Sequence, residues 1–379
     1  MKIVVFGLTI SSSWGNGHAT LWRGLARALI RRGHRFVFFE KDVPYYAGTR
    51  DLWEIPGGEL VLYSSWDEVL PYAKSHLADA DVAMVTSYCP DAVAATRLSL
   101  DSPAQLRAFY DMDTPVTLDG LRTGGDVAYL PPEGLSGFDL VLSFTGGPAL
   151  TALRTSLGAR RTAALYGHVD PDVHKPVRPL EGEWADVSYL GTYAADRQAA
   201  LEALFIEPAR RMPERRFLIA GAQYPHDFPW TDNVFFRRHL PPPEHPAFFC
   251  SSGLTVNVTR RAMAEMGWCP SGRLFEAAAC GVPILTDTWD GLDRFFTPGA
   301  EILTAATTDE AIGAISLPRA ELARIAAAAR ERVLAEHTSD VRAAELEALL
   351  HAAARSDGWS QADDDAGAAE GTLAMEAGA

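Results

Sequence analysis

The sequence predicts an α/β protein built from two doubly wound parallel sheets. Short apolar runs alternate with amphipathic stretches from the start, and that alternation indicates strand–helix–strand units. The rhythm stops at a polar, proline-containing crossing, Gly167-His168-Val169-Asp170-Pro171 to Pro179, and then resumes. At 379 residues the chain also exceeds one ordinary domain and fits two of about 150 to 200 residues.

In the first half, Lys2–Leu8 reads as a buried strand. Ala19–Arg32 follows as a helix with Leu21, Leu25, Ala28 and Leu29 on one face, closed by Gly33-His34. Strands are then expected at Arg35–Glu40, Val82–Thr86, Leu106–Tyr110 and Leu140–Phe144. In the second half they are expected at Val187–Leu190, Phe217–Ala220, Val234–Arg237, Leu254–Val258 and Val282–Thr286. Helices are placed at Arg197–Arg211, Arg273–Cys280 and Arg319–Glu336. The resulting division is an N-terminal Rossmann-like domain at 1–166, a linker at 167–180 and a C-terminal Rossmann-like domain at 181–337. A helix at 338–354 is expected to cross back to the first domain, and an Ala-, Gly- and Asp-rich tail at 355–379 is expected to be disordered.

Composition narrows the function classes. With 47% hydrophobic and 22% charged residues the chain is an ordinary globular one. Its net charge of −15 argues against duplex nucleic acid or anionic membrane as partner, although the tail alone contributes −5. Cys89, Cys250, Cys269 and Cys280 form no C-x-x-C pair and read as buried thiols of a reducing compartment, so a cytoplasmic location is expected. The opening MKIVVFGLTI leads into a turn and reads as a strand, not a signal peptide, and no apolar run is long enough to span a membrane. No His, Cys or Asp spacing suggests a zinc site, and no cofactor is expected.

The most informative stretch is SGRLFEAAACGVPILTD, residues 271–287. Ser271 is a good N-cap, Gly281 a good C-cap, and Pro283 stops the helix. The free N–H groups at Ser271, Gly272 and Arg273 make an anion site. One turn on, Glu276 can accept hydrogen bonds from a vicinal diol, such as the ribose beside a diphosphate. The alternative is an ion pair between Glu276 and Arg273, or a solvated carboxylate.

RLFEAAACGVPILTDTWDGLDRFFTPGAEIL resembles the carboxyl-terminal signature of GT-B glycosyltransferases. The similarity is greatest to the group 1 branch that includes the CgeB-like spore-maturation proteins. SSWGNGHATLWRGLARALIRRGH, FYDMDTPVTL, FDLVLSFTGGPAL, YLGTYAADRQ and LTVNVTRRAM extend the resemblance over residues 1 to about 345. It implies two Rossmann-like domains facing a central cleft, and transfer of a sugar from a nucleoside diphosphate sugar to a small-molecule or glycan acceptor. Retention of configuration and independence of metal are implied as well. The family's ribose-binding Glu falls on Glu276. The E-x7-E pattern of the wider family expects a second, sugar-contacting Glu where Trp268 stands.

Other candidates follow the strand ends, where doubly wound sheets bind ligands. The turn Gly7–His18 offers Trp14, Gly15, Asn16 and Gly17 to acceptor or phosphate, and His18 as an acid or base. Asp111 and Asp113 follow the predicted strand Leu106–Tyr110 and would line the cleft, with Asp113 catalytic; a D-x-D metal clamp or a simple turn before Pro115 are the alternatives. The resemblance implies a basic residue in the region of Arg197 that neutralises the donor diphosphate, with Arg260 and Arg273 as competitors. His239, Asn257 and Thr259 would touch the nucleoside. Domain closure would exclude water. A nucleotide-sugar epimerase and a non-catalytic GT-B binding protein are the alternatives. A dehydrogenase would lack the glycine fingerprint, although Glu40 stands where a ribose-binding acid could be.

Overall fold

In a computed structural model of the protein all residues are described except Asn16, Glu183 and 356–379; the expected disordered tail therefore lies outside the described residues, apart from Arg355. Two compact units emerge. Among the described residues, one comprises Met1–Ser12, His18–Tyr166 and Arg342–Arg355, and the other those within Ser13–Gly17 and Gly167–Val341.

The first unit holds a seven-stranded sheet of β1 (Lys2–Gly7), β2 (Arg35–Lys41), β3 (Glu59–Tyr63), β4 (Val82–Thr86), β5 (Leu106–Asp111), β6 (Leu140–Ser143) and β7 (Thr162–Ala164). Its order is β3-β2-β1-β4-β5-β6-β7, and every pairing is parallel. The chain reverses its direction of travel between β1 and β4, so the loops after those two strands flank the crevice where such sheets hold ligands. β1, β4 and β6 are buried at every position, as expected of a sheet covered on both faces. At Gly7, the last residue of β1, a Cβ would lie 2.3 Å from the Phe38 ring, so the position favours glycine.

The second unit repeats the plan with β8 (Ala185–Leu190), β9 (Phe217–Gly221), β10 (Val234–Arg238), β11 (Ser252–Asn257), β12 (Ile284–Thr286) and β13 (Leu303–Thr304). Its parallel order is β10-β9-β8-β11-β12-β13, with the switch between β8 and β11. A core of Val187, Phe205, Phe217, Ile219, Leu254, Val256 and Leu285 fills its sheet–helix interface.

Every strand expected from the sequence is present, shifted at its ends by no more than two residues. β3, β7 and β13 were not expected. β13 has two residues and β7 reads Thr-Ala-Ala, so neither carries a strong apolar signal; β3 reads Glu-Leu-Val-Leu-Tyr, an apolar run that does carry one. The helix expected over Arg197–Arg211 is broken. A 3₁₀ turn at Ala195–Arg197 leads to an α-turn at Gln198–Leu201, a π-turn at Glu202–Ile206 and an α-turn at Glu207–Arg211. Pro208 has no N–H and crowds the carbonyl four residues back; the preceding turn widens accordingly, and the Glu207 N–H reaches the Glu202 carbonyl.

The helix Ser339–Ala354 starts in the second unit, and from Arg342 it groups with the first. There Leu346 and Leu350 are buried, Arg32 bonds Glu347, and Arg161 donates to the Ala353 carbonyl at 2.8 Å. Cys89, Cys269 and Cys280 are buried free thiols, whereas Cys250 is half-buried. No helix among the described residues is long and apolar enough to cross a membrane.

Candidate functional site

The loop after β1 is fixed by one buried carboxylate. Glu40, at the end of the neighbouring strand β2, accepts from Thr9 Oγ1 (2.9 Å), Ile10 N (2.8 Å), Ser11 N (2.9 Å) and Ser11 Oγ (2.6 Å). Four donors saturate its lone pairs. No acceptor is left for a ribose, and the dehydrogenase alternative loses its acidic residue. Glu40→Ala would leave these donors buried without a partner. The expected cost is about 3 to 5 kcal/mol, read as a lower denaturation midpoint in urea.

This anchored loop leads to His18, the first residue of the helix His18–Arg31. Its Nε2 lies 2.9 Å from Asp113 Oδ2, the two side chains being 12% and 18% exposed. His18 Nδ1 is buried without a hydrogen-bond partner. The Tyr88 ring, after β4, stands edge-on to the imidazole at 5.9 Å, and its backbone is held at φ +61°. A non-glycine residue in that region is uncommon and marks a constrained loop. Carboxylate and imidazole, 95 positions apart in sequence, are thus brought together at the switch point of the first sheet.

Asp111 does not line a cleft as expected. Its side chain is fully buried, and Oδ1 accepts from Asp113 N (3.2 Å) and Thr117 Oγ1 (3.0 Å), closing the turn into the helix Thr114–Arg122. The turn alternative describes this residue, whose Oδ1 is committed to the turn. Burial pushes the Asp111 carboxyl up to about 6, against weaker opposing hydrogen bonds. A raised folded value means a contribution that is complete below the unfolded value near 4 and is lost as pH rises through 6. Asp111→Asn should therefore flatten the pH dependence of stability between pH 4 and 6 by roughly 3 kcal/mol, measured by urea denaturation across that window.

Residues 13–17 group by their contacts with the second unit, not with the first as expected. The reason is visible at Trp14, whose ring centroid lies 4.3 Å from that of His239. Gly15 sits at φ +69°, which favours glycine, but a Cβ on Gly17 would meet nothing, so close packing does not require a glycine there. Asn16 lies outside the described residues.

In the second unit the helix Gly272–Ala279 is capped by Ser271, whose Oγ accepts from Arg273 N at 3.3 Å. That N–H is satisfied within the protein, so the expected anion site at Ser271, Gly272 and Arg273 is smaller than the sequence suggested. Glu276 is 3% exposed. Arg273 Nη1 lies 2.7 Å from its Oε1 and 2.6 Å from its Oε2, so the ion-pair alternative is realised. Two residues that no sequence spacing singled out complete the surroundings. His245 Nδ1 is 3.2 Å and His174 Nε2 3.7 Å from Oε2. Burial alone would raise the Glu276 carboxyl, but the charges around it, the Arg273 guanidinium foremost, outweigh burial and hold the group well below the usual carboxylate range. Burial lowers His174 to about 4 and lowers His245 too, so both imidazoles are neutral near pH 7.

The remaining candidates divide. Arg197 donates from Nη1 to the Thr192 carbonyl at 3.1 Å, after β8. Its competitor Arg260 is neutralised by Asp196 at 3.0 Å. Asn257 and Thr259, expected at the nucleoside, are buried and bonded inward, to Thr286 Oγ1 (3.0 Å) and Asp287 Oδ1 (3.0 Å) respectively. His239 follows β10 with φ +45°. Trp268, at the position of the missing Glu, has φ +52° and packs on Gly291, where a Cβ would come within 2.5 Å of the indole. His337 is a packing residue among Phe275, Phe295 and Phe296.

Residues 197–348 match the family described as Glycosyl transferase-like. No curated protein sequence matches significantly. Among solved structures, sucrose-phosphate synthase from Thermosynechococcus elongatus aligns with a TM-score of 0.69 and 16% identity, over 92% of this chain and 98% of that one. The Anabaena protein HepE in complex with UDP and glucose gives 0.64 and 13%, over 93% and 99%. An alpha-glucosyltransferase in complex with UDP-glucose and DNA containing an abasic site gives 0.65 and 12%, over 93% and 99%. At these identities the likeness is one of fold. The chain has the GT-B fold of two Rossmann-like domains, and its residues 197–348 are similar to the glycosyl transferase-like family.

Proposed function

We propose that the protein transfers a sugar from a nucleoside diphosphate sugar to an acceptor hydroxyl, with retention of configuration and without a metal ion on the diphosphate. We place it in the CgeB-like group 1 branch. The observation that carries the reading is the Arg273–Glu276 pair on a short capped helix, within the segment that matches the glycosyl transferase-like family. A carboxylate has about four lone-pair directions. Arg273 engages two of them, one on each oxygen, and a further one on Oε1 is left for a ribose hydroxyl. Arg197 supplies positive charge where the leaving diphosphate develops its own. In the first unit Asp113 fixes the His18 tautomer with hydrogen on Nε2, and the imidazole then offers Nδ1 to the acceptor hydroxyl's proton. The acceptor is a small molecule or glycan, not nucleic acid, in keeping with the net charge of −15. The protein works in the cytoplasm and needs no cofactor.

Calorimetric titration with a panel of nucleotide sugars tests the donor reading. UDP-glucose belongs in the panel because HepE and the alpha-glucosyltransferase are each seen with it. Binding of at least one donor is expected, with release of free nucleoside diphosphate that depends on added acceptor. Acceptor-independent conversion of the donor would identify an epimerase, and binding without turnover a non-catalytic protein.

A further inference from the structure

His174, His245 and Glu276 present their ligating atoms to one another within 4.8 Å, and all three residues are buried. They come from three separate segments. His174 closes the turn Asp170–His174, its N–H bonded to the Asp170 carbonyl at 2.8 Å. His245 opens the helix His245–Cys250, and Glu276 lies within the helix Gly272–Ala279.

Hydrogen-bond chemistry shows what the cluster lacks. His245 Nε2 is 3.1 Å from the Leu240 carbonyl, which can only accept, so the imidazole hydrogen sits on Nε2. The lone pair on Nδ1 then points at the Glu276 carboxylate, itself only an acceptor, at 3.2 Å. His174 is 1% exposed, its Nε2 faces the same oxygen at 3.7 Å, and neither ring nitrogen has a hydrogen-bond partner. His245 Nδ1 and Glu276 Oε2 therefore face each other as two lone-pair atoms, and His174, whose ring hydrogen no partner fixes to either nitrogen, can present the lone pair of Nε2 to the same point. An imidazole that donates its far N–H to a backbone carbonyl while turning its other nitrogen inward is the arrangement found around metal-ligating histidines.

We propose that His174 Nε2, His245 Nδ1 and Glu276 Oε2 bind a Zn2+ ion. Two imidazoles and a carboxylate are a known zinc donor set. Ligand atoms around tetrahedral zinc are about 3.4 Å apart, so side-chain movements of roughly 1 Å complete the site. Arg273 keeps Oε1 and, being 27% exposed, keeps its charge in contact with water. The ion's role is structural: it ties the turn at 170–174 and the helix His245–Cys250 to the helix that carries Glu276. It takes no part in the transfer step, and its existence does not depend on the transferase reading.

Metal content decides the matter without any substrate. The purified full-length protein, incubated with Zn2+ and desalted, should retain about one equivalent by mass spectrometry of the metal. Co2+ should give the visible absorption of a tetrahedral nitrogen–oxygen site. A chelator should lower Tm, and added Zn2+ should restore it. His174→Ala and His245→Ala should each weaken Zn2+ binding by at least about tenfold, and His174→Gln gives a second variant if the alanine protein fails to fold. Failure of wild type to retain zinc, or retention undiminished in both histidine variants, overturns the site. So does a doubly protonated His245 seen by NMR in zinc-treated protein, since a proton would then fill the place of the ion. Failure here leaves nucleotide-sugar binding untouched, and the converse holds.

Discussion

His18→Ala should lower sugar transfer by roughly 10²- to 10⁴-fold while leaving the affinity for the nucleotide sugar within about twofold. The prediction rests on the separation of duties between the two units. His18 and Asp113 belong to the first, and the Arg273–Glu276 pair to the second. Asp113→Asn should reproduce most of the loss. An asparagine can present its amide N–H₂ to Nε2, which favours the opposite tautomer and puts the hydrogen on the Nδ1 that has no partner. Single-turnover rates measured beside calorimetric donor affinities separate the two terms. A loss confined to donor affinity would remove His18 from the acid–base role.

Glu276→Ala should be the most costly single change in the second unit, for stability and for donor binding together. Its carboxylate is the counter-charge for Arg273 and the group on which His245 and His174 converge, so its removal takes the guanidinium's partner and leaves a void between the two imidazoles. Breaking a buried pair in this way costs about 3 to 5 kcal/mol. Donor affinity should fall at least about tenfold at a temperature where the variant remains folded, because a ribose hydroxyl bond to a charged group is worth about 1.5 kcal/mol or more. The pH dependence has a definite sign. A carboxyl held below its unfolded value of 4.5 contributes full stability above that pH and loses it as pH falls through the folded value. Wild type should thus lose this contribution on the acid side and Glu276→Ala should not, as acid titrations followed by circular dichroism would show. Unchanged donor affinity in a folded Glu276→Ala protein would refute the ribose role.

The strand pattern of both sheets was legible in the sequence because each buried strand of a parallel sheet is a near-continuous apolar run. Val82–Thr86 and Arg319–Glu336 fall at their expected ends. The caps of the Glu276 helix were legible for a similar reason: Ser271 acts on backbone groups within its own turn. Locality also explains the failures. Asp111 and Asp113 look equivalent two residues apart, yet one is fully buried and closes a turn while the other reaches His18. Asn257 and Thr259 stand at a strand end, but Thr286 and Asp287 on the adjoining strand and its loop claim their side chains.

What the sequence by itself determined is the set of local facts: two runs of strand–helix units, the turn after β1, and one carboxylate on a capped helix. Only the tertiary structure decided which polar groups meet. Glu40 is committed to the 9–11 loop, His18 to Asp113, and His174 and His245 to Glu276. The physical reason is that apolar periodicity is written along the chain at spacings of two and about 3.6 residues. A hydrogen bond or ion pair between distant segments leaves no period, and its partners are fixed only when strand order and helix packing bring them within about 3 Å.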